Sequence, residues 1–416
     1  MTNSVQELAA KSMMWNFKLL AHHELDGFSS LGEGMSLQVT ADGRRILWLA
    51  HWQAPKNFTA VDVSDPRQPK VVVQTELPLP DMRSNSLEIC GNVMAVAYQT
   101  AKVGQQPAGF DLFDISKPEK PQRISFFDAS GPHSRGVHQL WFCDGRYVHM
   151  SSGAPDYQPR NPRDHQIYRI IDVQNPSKPV EAGRWWLPGL REGDAEPAPE
   201  RHPDHMNGKQ SGFRVHNTNV YPQRPDRAYL GYLDAGMIIL DISDMSKPKM
   251  VSRWDNSPPF YGFTHTVLPL FERNLFIVTD ETTTEDGSDL PKLMWVVDGR
   301  DERNPVPIAT LPAPSFDTLG IRGRRVGAHN VHENTPGPYT WKSEYVILGT
   351  FFNAGLRAFD ISNPYQPKEI AAFVPPASPR SPTGFVSIND VMVDERKIVY
   401  AVDREQGGLF ILEMDF

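Results

Sequence analysis

The chain has 416 residues, 39% hydrophobic and 22% charged, with a net charge of −8 and a mean hydropathy of −0.44. No run approaches the ~18 consecutive apolar residues a membrane span requires, and an acidic balance without a basic cluster excludes nucleic-acid binding, which needs a positive footprint. Met1 to Lys18 lacks the apolar stretch of a signal peptide, and two cysteines, Cys90 and Cys143, make no disulfide framework, so the cytoplasm is the expected location.

Read from the N-terminus, the first strand expected is residues 16–25, where Phe17-Lys18-Leu19-Leu20 looks like the later runs Lys70-Val71-Val72-Val73 and Lys249-Met250-Val251. Thereafter an apolar run ending in an acidic residue recurs at Asp62, Asp114, Asp172, Asp241, Asp298, Asp360 and Glu413, at spacings of 52, 58, 69, 57, 62 and 53. All but the last are followed by a proline-containing turn. Such a period marks a repeat architecture. Each unit holds short runs rich in Val, Ile and aromatics, clearest in the sixth at 327–331, 345–349, 355–361 and 369–374. Runs of this kind separated by Gly, Asp, Asn and Pro read as strands, and four antiparallel strands per unit make a β-propeller blade. The last unit stops after its third strand, residues 408–415. The strand at 16–25 is expected to complete it, closing a ring of seven blades and removing a sheet edge. The expected organisation is an extension over 1–15 followed by one all-β domain over 16–416.

The segment Gly355-Leu356-Arg357-Ala358-Phe359-Asp360-Ile361-Ser362-Asn363-Pro364 resembles the LVIVD repeat of bacterial β-propeller proteins, and the resemblance extends over nearly all of the chain after about residue 16. It implies the propeller fold. It leaves function open, because propellers host many unrelated activities.

Strand order assigns the long connections 100–109, 152–166, 188–211, 282–291, 312–324 and 375–382 to one face of the ring, where loops of that length are functional. Aligning the innermost strands brings Leu37, Leu87, His138, His216, His265, His329 and Asn389 to one level. Four histidines in one register, out of 13 in the chain, exceed chance. Strand alternation aims that position into the central channel, and neutral imidazole is the commonest metal ligand. His138, His216, His265 and His329 are therefore expected to hold one divalent ion, Fe(II) or Mn(II) being favoured. The arrangement is similar to the four-histidine iron site of carotenoid-cleavage oxygenases and to the manganese site of oligogalacturonate lyases. Glu88, Asp280, Glu281, Asp390 and Asp403 are candidates to accept the second ring N–H of a ligand.

Among the remaining candidates, Arg214 shares the face of His216 and His133 lies in the approach to His138; both are expected catalytic residues. Arg135, Arg322, Arg324 and Arg325 sit in the approaches, and Trp185, Trp186, Phe260, Tyr261, Phe263, Phe351 and Phe352 border the same mouth. His332, three residues past His329, points to the opposite face. His202 and His205 lie in the longest insertion. Guanidinium and aromatic groups around a metal suggest a small anionic, aromatic or unsaturated substrate. Three functions stay open: an oxygenase or oxidase, a metal-dependent lyase or isomerase using the ion as Lewis acid, and a non-enzymatic binding scaffold.

Overall fold

The computed structural model describes residues 2–201, 211–314 and 325–416. It contains seven antiparallel sheets arranged as the blades of a β-propeller. Blade one is built from Leu31–Val39, Arg45–His51, Lys56–Asp62 and Lys70–Glu76, and the later blades repeat this order from the channel outward, except that in blade six the strand expected at 327–331 is reduced to a single bridge between Val331 and Gly349. No described helix is long and apolar enough to cross a membrane.

The repeated acidic residue has a local cause. In the first six blades it closes the third strand, and its carboxylate accepts the backbone N–H two residues on, from Asp62 to Ser64, Asp114 to Ser116, Asp172 to Gln174, Asp241 to Ser243, Asp298 to Arg300 and Asp360 to Ser362. This side-chain bond mimics a backbone turn and stops the strand. A tight turn follows each time, as in Gln68 N–H to Asp65 O and Gln366 N–H to Asn363 O. Glu413 needs no such turn, because its strand is the third of the last blade and its partner comes from the other end of the chain.

That partner is Phe17–His23, which pairs antiparallel with Gly408–Met414 from Phe17 opposite Met414 to His23 opposite Leu409. The pairing buries Phe17, Leu19, Leu20 and Ala21 and closes the ring. Residues 1–15, set apart from the ring in the sequence reading, carry a helix, Thr2–Lys11, and a strand, Met13–Trp15, that pairs outside Lys368–Val374 as an added strand on blade six. Val5, Leu8 and Ala9 pack against the core shared by blades six and seven.

The core lies between the blades, in clusters that each span two or more neighbours. Polar residues of the inner strands link blades near the axis. Thr218 donates to the His149 carbonyl, and Gln38 donates to Asn92 and to the Ile115 carbonyl. Removing residues 1–23 uncovers three large apolar side chains' worth of interface, a loss of roughly 5 kcal/mol or more at ~1.5–3 kcal/mol per buried side chain. The truncated chain is expected to unfold at markedly lower urea and to aggregate through the bared Gly408–Met414 edge, as followed by circular dichroism and light scattering.

Candidate metal centre

On the face that carries the long loops, the inner strands leave regular pairing. The register skips His138 between Val137 and Gln139, His216 and Asn217 between Val215 and Thr218, His265 between Thr264 and Thr266, and Asn389 between Ile388 and Asp390. A β-bulge re-aims the extra side chain, and here it turns each residue toward the axis. His329 precedes the bridge between Val331 and Gly349 and is held by its N–H to the Thr350 carbonyl.

Blades one and two correct the sequence register. Leu37 and Leu87 do not stand level with the histidines; both are buried between blades. In blade one the skipped residues are Gly32, Glu33 and Gly34, so the residue at the histidine level is Glu33, four positions before Leu37. In blade two the pairing jumps from Arg83 opposite Gln99 to Leu87 opposite Val96. The two glycines are required by proximity. A Cβ on Gly32 would lie 2.6 Å from the Asn85 carbonyl oxygen, and one on Gly34 would lie 2.2 Å from the Leu87 nitrogen. The Glu33 N–H bonds to that Asn85 oxygen at 2.7 Å, which sends the carboxylate into the channel.

The four rings meet in sequence, with centroids 4.4 Å apart for His138 and His216, 3.7 Å for His216 and His265, and 4.5 Å for His265 and His329. Their outer nitrogens are engaged. His329 Nδ1 lies 2.6 Å from the Asn389 carbonyl, which can only accept. His138 Nδ1 lies 3.0 Å from Gln99 Oε1, an oxygen identified by the two bonds it accepts from Arg83 at 3.0 and 2.6 Å. His216 Nδ1 lies 2.9 Å from Asn217 Oδ1, whose amide is oriented by donating from Nδ2 to Glu333 at 2.7 Å. His265 Nδ1 meets Thr266 Oγ1 at 2.8 Å. In at least His138, His216 and His329 the proton therefore resides on Nδ1, and Nε2 presents a bare lone pair to the channel.

Those lone pairs crowd one another. His138 Nε2 and His216 Nε2 are 2.8 Å apart, and in these tautomers neither has a proton to share. The spacing suits two adjacent ligands of one cation, since nitrogens ~2.1 Å from an ion at right angles lie about 3 Å apart. Glu33 completes the cluster, with Oε2 3.6 Å from His265 Nε2 and 3.9 Å from His216 Nε2, and Oε1 3.6 Å from His329 Nε2. These are too long for hydrogen bonds. The Nε2 atoms of His265 and His329 and Oε2 of Glu33 are buried without a hydrogen-bond partner among the described residues. Ligand atoms of Glu33 with His138 and His216, of Glu33 with His265 and His329, and of His216 and His265 with Glu281 lie within 4.8 Å of one another in each group.

The charges favour the ligating forms. Burial, and next the Arg83 guanidinium, hold His138 well below the usual imidazole range; burial, and next the His265 ring, do the same to His216. Arg404 donates to Glu33 Oε1 at 2.7 Å, both side chains being 5% exposed. Glu281 stands 3.7 Å from His329 Nε2 and 3.6 Å from Arg325.

Of the carboxylates expected to orient the rings, only Glu281 comes near them, and it faces the bare Nε2 side. Glu88 bonds to Ser36 and the Ile89 N–H; Asp280 bonds to Asn256 and Trp295; Asp403 bonds to backbone N–H groups of Ser387, Glu405 and Gly407; Asp390 bonds to the Val391 N–H. The orienting groups are neutral instead: Gln99, Asn217, Thr266 and the Asn389 carbonyl. The expected all-imidazole surround is likewise replaced by one with a carboxylate, Glu33, among the rings.

Above the cluster a cavity of about 200 Å³ opens to the loop face, with Arg214, Arg135, Arg325, Phe263 and Trp52 in its wall. The guanidinium carbons of Arg83 and Arg404 each lie 3.9 Å from the Trp52 ring centre. Trp52, Arg325 and Arg404 also line an adjoining cavity with Phe352 and Phe385. His133 is half-buried in its approach loop and is absent from this wall. His332 bonds to the Trp341 carbonyl and Val393 N–H, away from the cluster, as expected. Trp185 packs on Tyr232, Trp186 bonds to Asp194, Phe260 packs on Trp295 and Phe351 on Phe359, so these aromatics belong to the blades. His202, His205, Arg322 and Arg324 lie outside the described residues.

Two stretches, residues 168–185 and 226–256, match the LVIVD repeat model. Among solved structures, the chain is similar to the β-propeller domain of Cps50 (Swd1) from Myceliophteria thermophila, with a TM-score of 0.55 and 11% identity over 92% of this chain and 96% of that one. Both matches support the propeller fold. No curated protein matches the chain. The likeness to carotenoid-cleavage oxygenases finds no support in these matches.

Deeper in the channel, Glu88 is buried and pushed up to about 8, chiefly by loss of solvent and further by nearby Glu333. A carboxyl raised in the folded state binds its proton more tightly there, so its burial costs nothing below the ordinary carboxylate range near pH 4.5 and increasingly more as pH rises toward 8. Glu88→Gln is expected to flatten the fall in stability across that window and to gain ~3 kcal/mol at pH 8, measured by urea unfolding at a series of pH values.

Proposed function

We propose that the protein is a metal-dependent enzyme whose ion is held by His138, His216, His265 and His329 with Glu33 as a further ligand, and that it oxidises a small anionic, aromatic or unsaturated organic acid with dioxygen as co-substrate. The observation that carries this reading is the set of buried, unpartnered donor atoms, Nε2 of His265 and His329 and Oε2 of Glu33, gathered around the facing lone pairs of His138 and His216. Burying such atoms without partners costs several kcal/mol in total, a cost that a bound cation removes.

A mixed imidazole and carboxylate set suits Fe(II) or Mn(II). When bound, such an ion supplies a Lewis-acid and oxygen-activating centre. The protein's own groups have separate tasks. Gln99, held by Arg83, and Asn217, held by Glu333, fix the ring tautomers, and Arg404 anchors Glu33. Trp52 and Phe263 narrow the space above the cluster, and Arg214 offers a guanidinium to an incoming anion. His133 has no place in this scheme. A second reading, metal-assisted elimination, draws on Glu281, a carboxylate on the cavity wall beside His329 that is placed to take a substrate proton.

Elemental analysis of the purified protein is expected to find close to one iron or manganese per chain. His265→Ala should lower metal content at least tenfold while the circular dichroism spectrum is unchanged; a chain that never carries stoichiometric metal would leave a binding scaffold. Oxygen uptake with aromatic carboxylates, absent in His265→Ala, separates oxidation from elimination, which consumes none.

A further inference from the structure

The cavity wall carries five arginines, Arg83, Arg135, Arg214, Arg325 and Arg404, against two carboxylates, Glu33 and Glu281. The carboxylates are taken. Glu33 pairs with Arg404 at 2.7 Å, and Glu281 lies 3.6 Å from Arg325. Among the described residues no ion pair joins Arg83, Arg135 or Arg214 to a carboxylate. Arg83 spends its contacts on Gln99 and the Trp52 face, and Arg135 donates from Nε to the Thr100 carbonyl. Arg214 Nε is buried without a hydrogen-bond partner among the described residues. Asp234 and Asp164 are the acidic neighbours of Arg214, and each already accepts a backbone N–H, from Gly212 and Phe213.

Three guanidiniums thus line one side of a small cavity without a direct ion pair to a carboxylate among the described residues, next to the proposed ion. Burying like charges together is costly unless a ligand compensates them. One anionic group at the metal would leave this second side unmatched. A second oxyanion there would meet forked N–H donors, which bind carboxylate or phosphate two bonds at a time.

Resting on the metal-enzyme reading, we infer that the substrate is a dianion: a small unsaturated or aromatic acid with one anionic group at the ion and a second oxyanion in a subsite formed by Arg83, Arg135 and Arg214. Trp52 and Phe263 wall the space between for a flat hydrocarbon body. The subsite, not the metal, then selects dianions over monoanions.

The test measures binding by calorimetry of benzoate, benzene-1,2-dicarboxylate and 2-carboxyphenyl phosphate to metal-loaded and chelator-treated full-length protein. At least one of the two dianions should bind tenfold or more tighter than benzoate, and which one does so distinguishes a carboxylate from a phosphate as the second group. Arg214→Gln and Arg135→Gln should each reduce that preference at least tenfold, weakening the dianion far more than benzoate. Two variants guard against one misfolding, with the ligand-free melting temperature as control. Equal affinity for the three probes, no binding of any, or a preference indifferent to both substitutions would overturn the inference. An arginine-dependent preference that persists in a protein with no metal would sustain the subsite while removing the metal reading; metal present with no arginine dependence would do the reverse.

Discussion

Pairing of Phe17–His23 with Gly408–Met414 holds blade one beside blade seven, and through that contact it fixes how far apart the seven inner strands stand around the axis. The candidate centre depends on this distance more than on any single bond. Its side chains come from blades one, three, four, five and six, and none of those blades contributes two neighbouring ring nitrogens on its own. Bulges then set the final aim. A regular strand at the same radius would direct alternate residues to the channel, whereas the extra residue in each bulge leans toward the loop face, where the cavity opens.

The centre is also an electrostatic arrangement that constrains itself. Neutral rings with bare inward nitrogens attract a cation; Glu33 offers it charge; Arg404 keeps Glu33 from collapsing onto a single ring. Neutral partners for Nδ1 suit this balance. A carboxylate at Gln99 or Asn217 would strengthen each ring as a donor, and it would add buried negative charge above a channel already holding Glu88, Glu333 and Asp390, all three raised by burial. The amides orient the rings without that addition.

What can be read from the sequence divides along physical lines. The blade count is legible because each Asp makes the same local turn bond, so chemistry and period coincide from Asp62 to Asp360. The histidines are legible because the bulges at His138, His216 and His265 are short and leave the neighbouring hydrophobic pattern in step, and His329, outside any bulge, keeps the same spacing. Glu33 is not, because a bulge of three residues separates it from Leu37, the residue that matches the pattern. The flanking Gly32 and Gly34 are its signal: two glycines around an acidic residue at the head of an inner strand mark a backbone pressed against its neighbour. Arg83 and Arg404 stay hidden for another reason. They reach the axis from a strand end and a connecting loop, positions that periodicity does not index.

Ring closure has a consequence for biosynthesis. The strand that completes blade seven is made before the other blades and its partner after them, so blade seven stays incomplete until residues 408–414 have been synthesised. Glu33, carried by blade one, comes round to His265 and His329 only at that moment. Until then the imidazoles of blades three to six stand on an unsealed stack of sheets, and the carboxylate of Glu33 joins them last, as the nascent ring shuts.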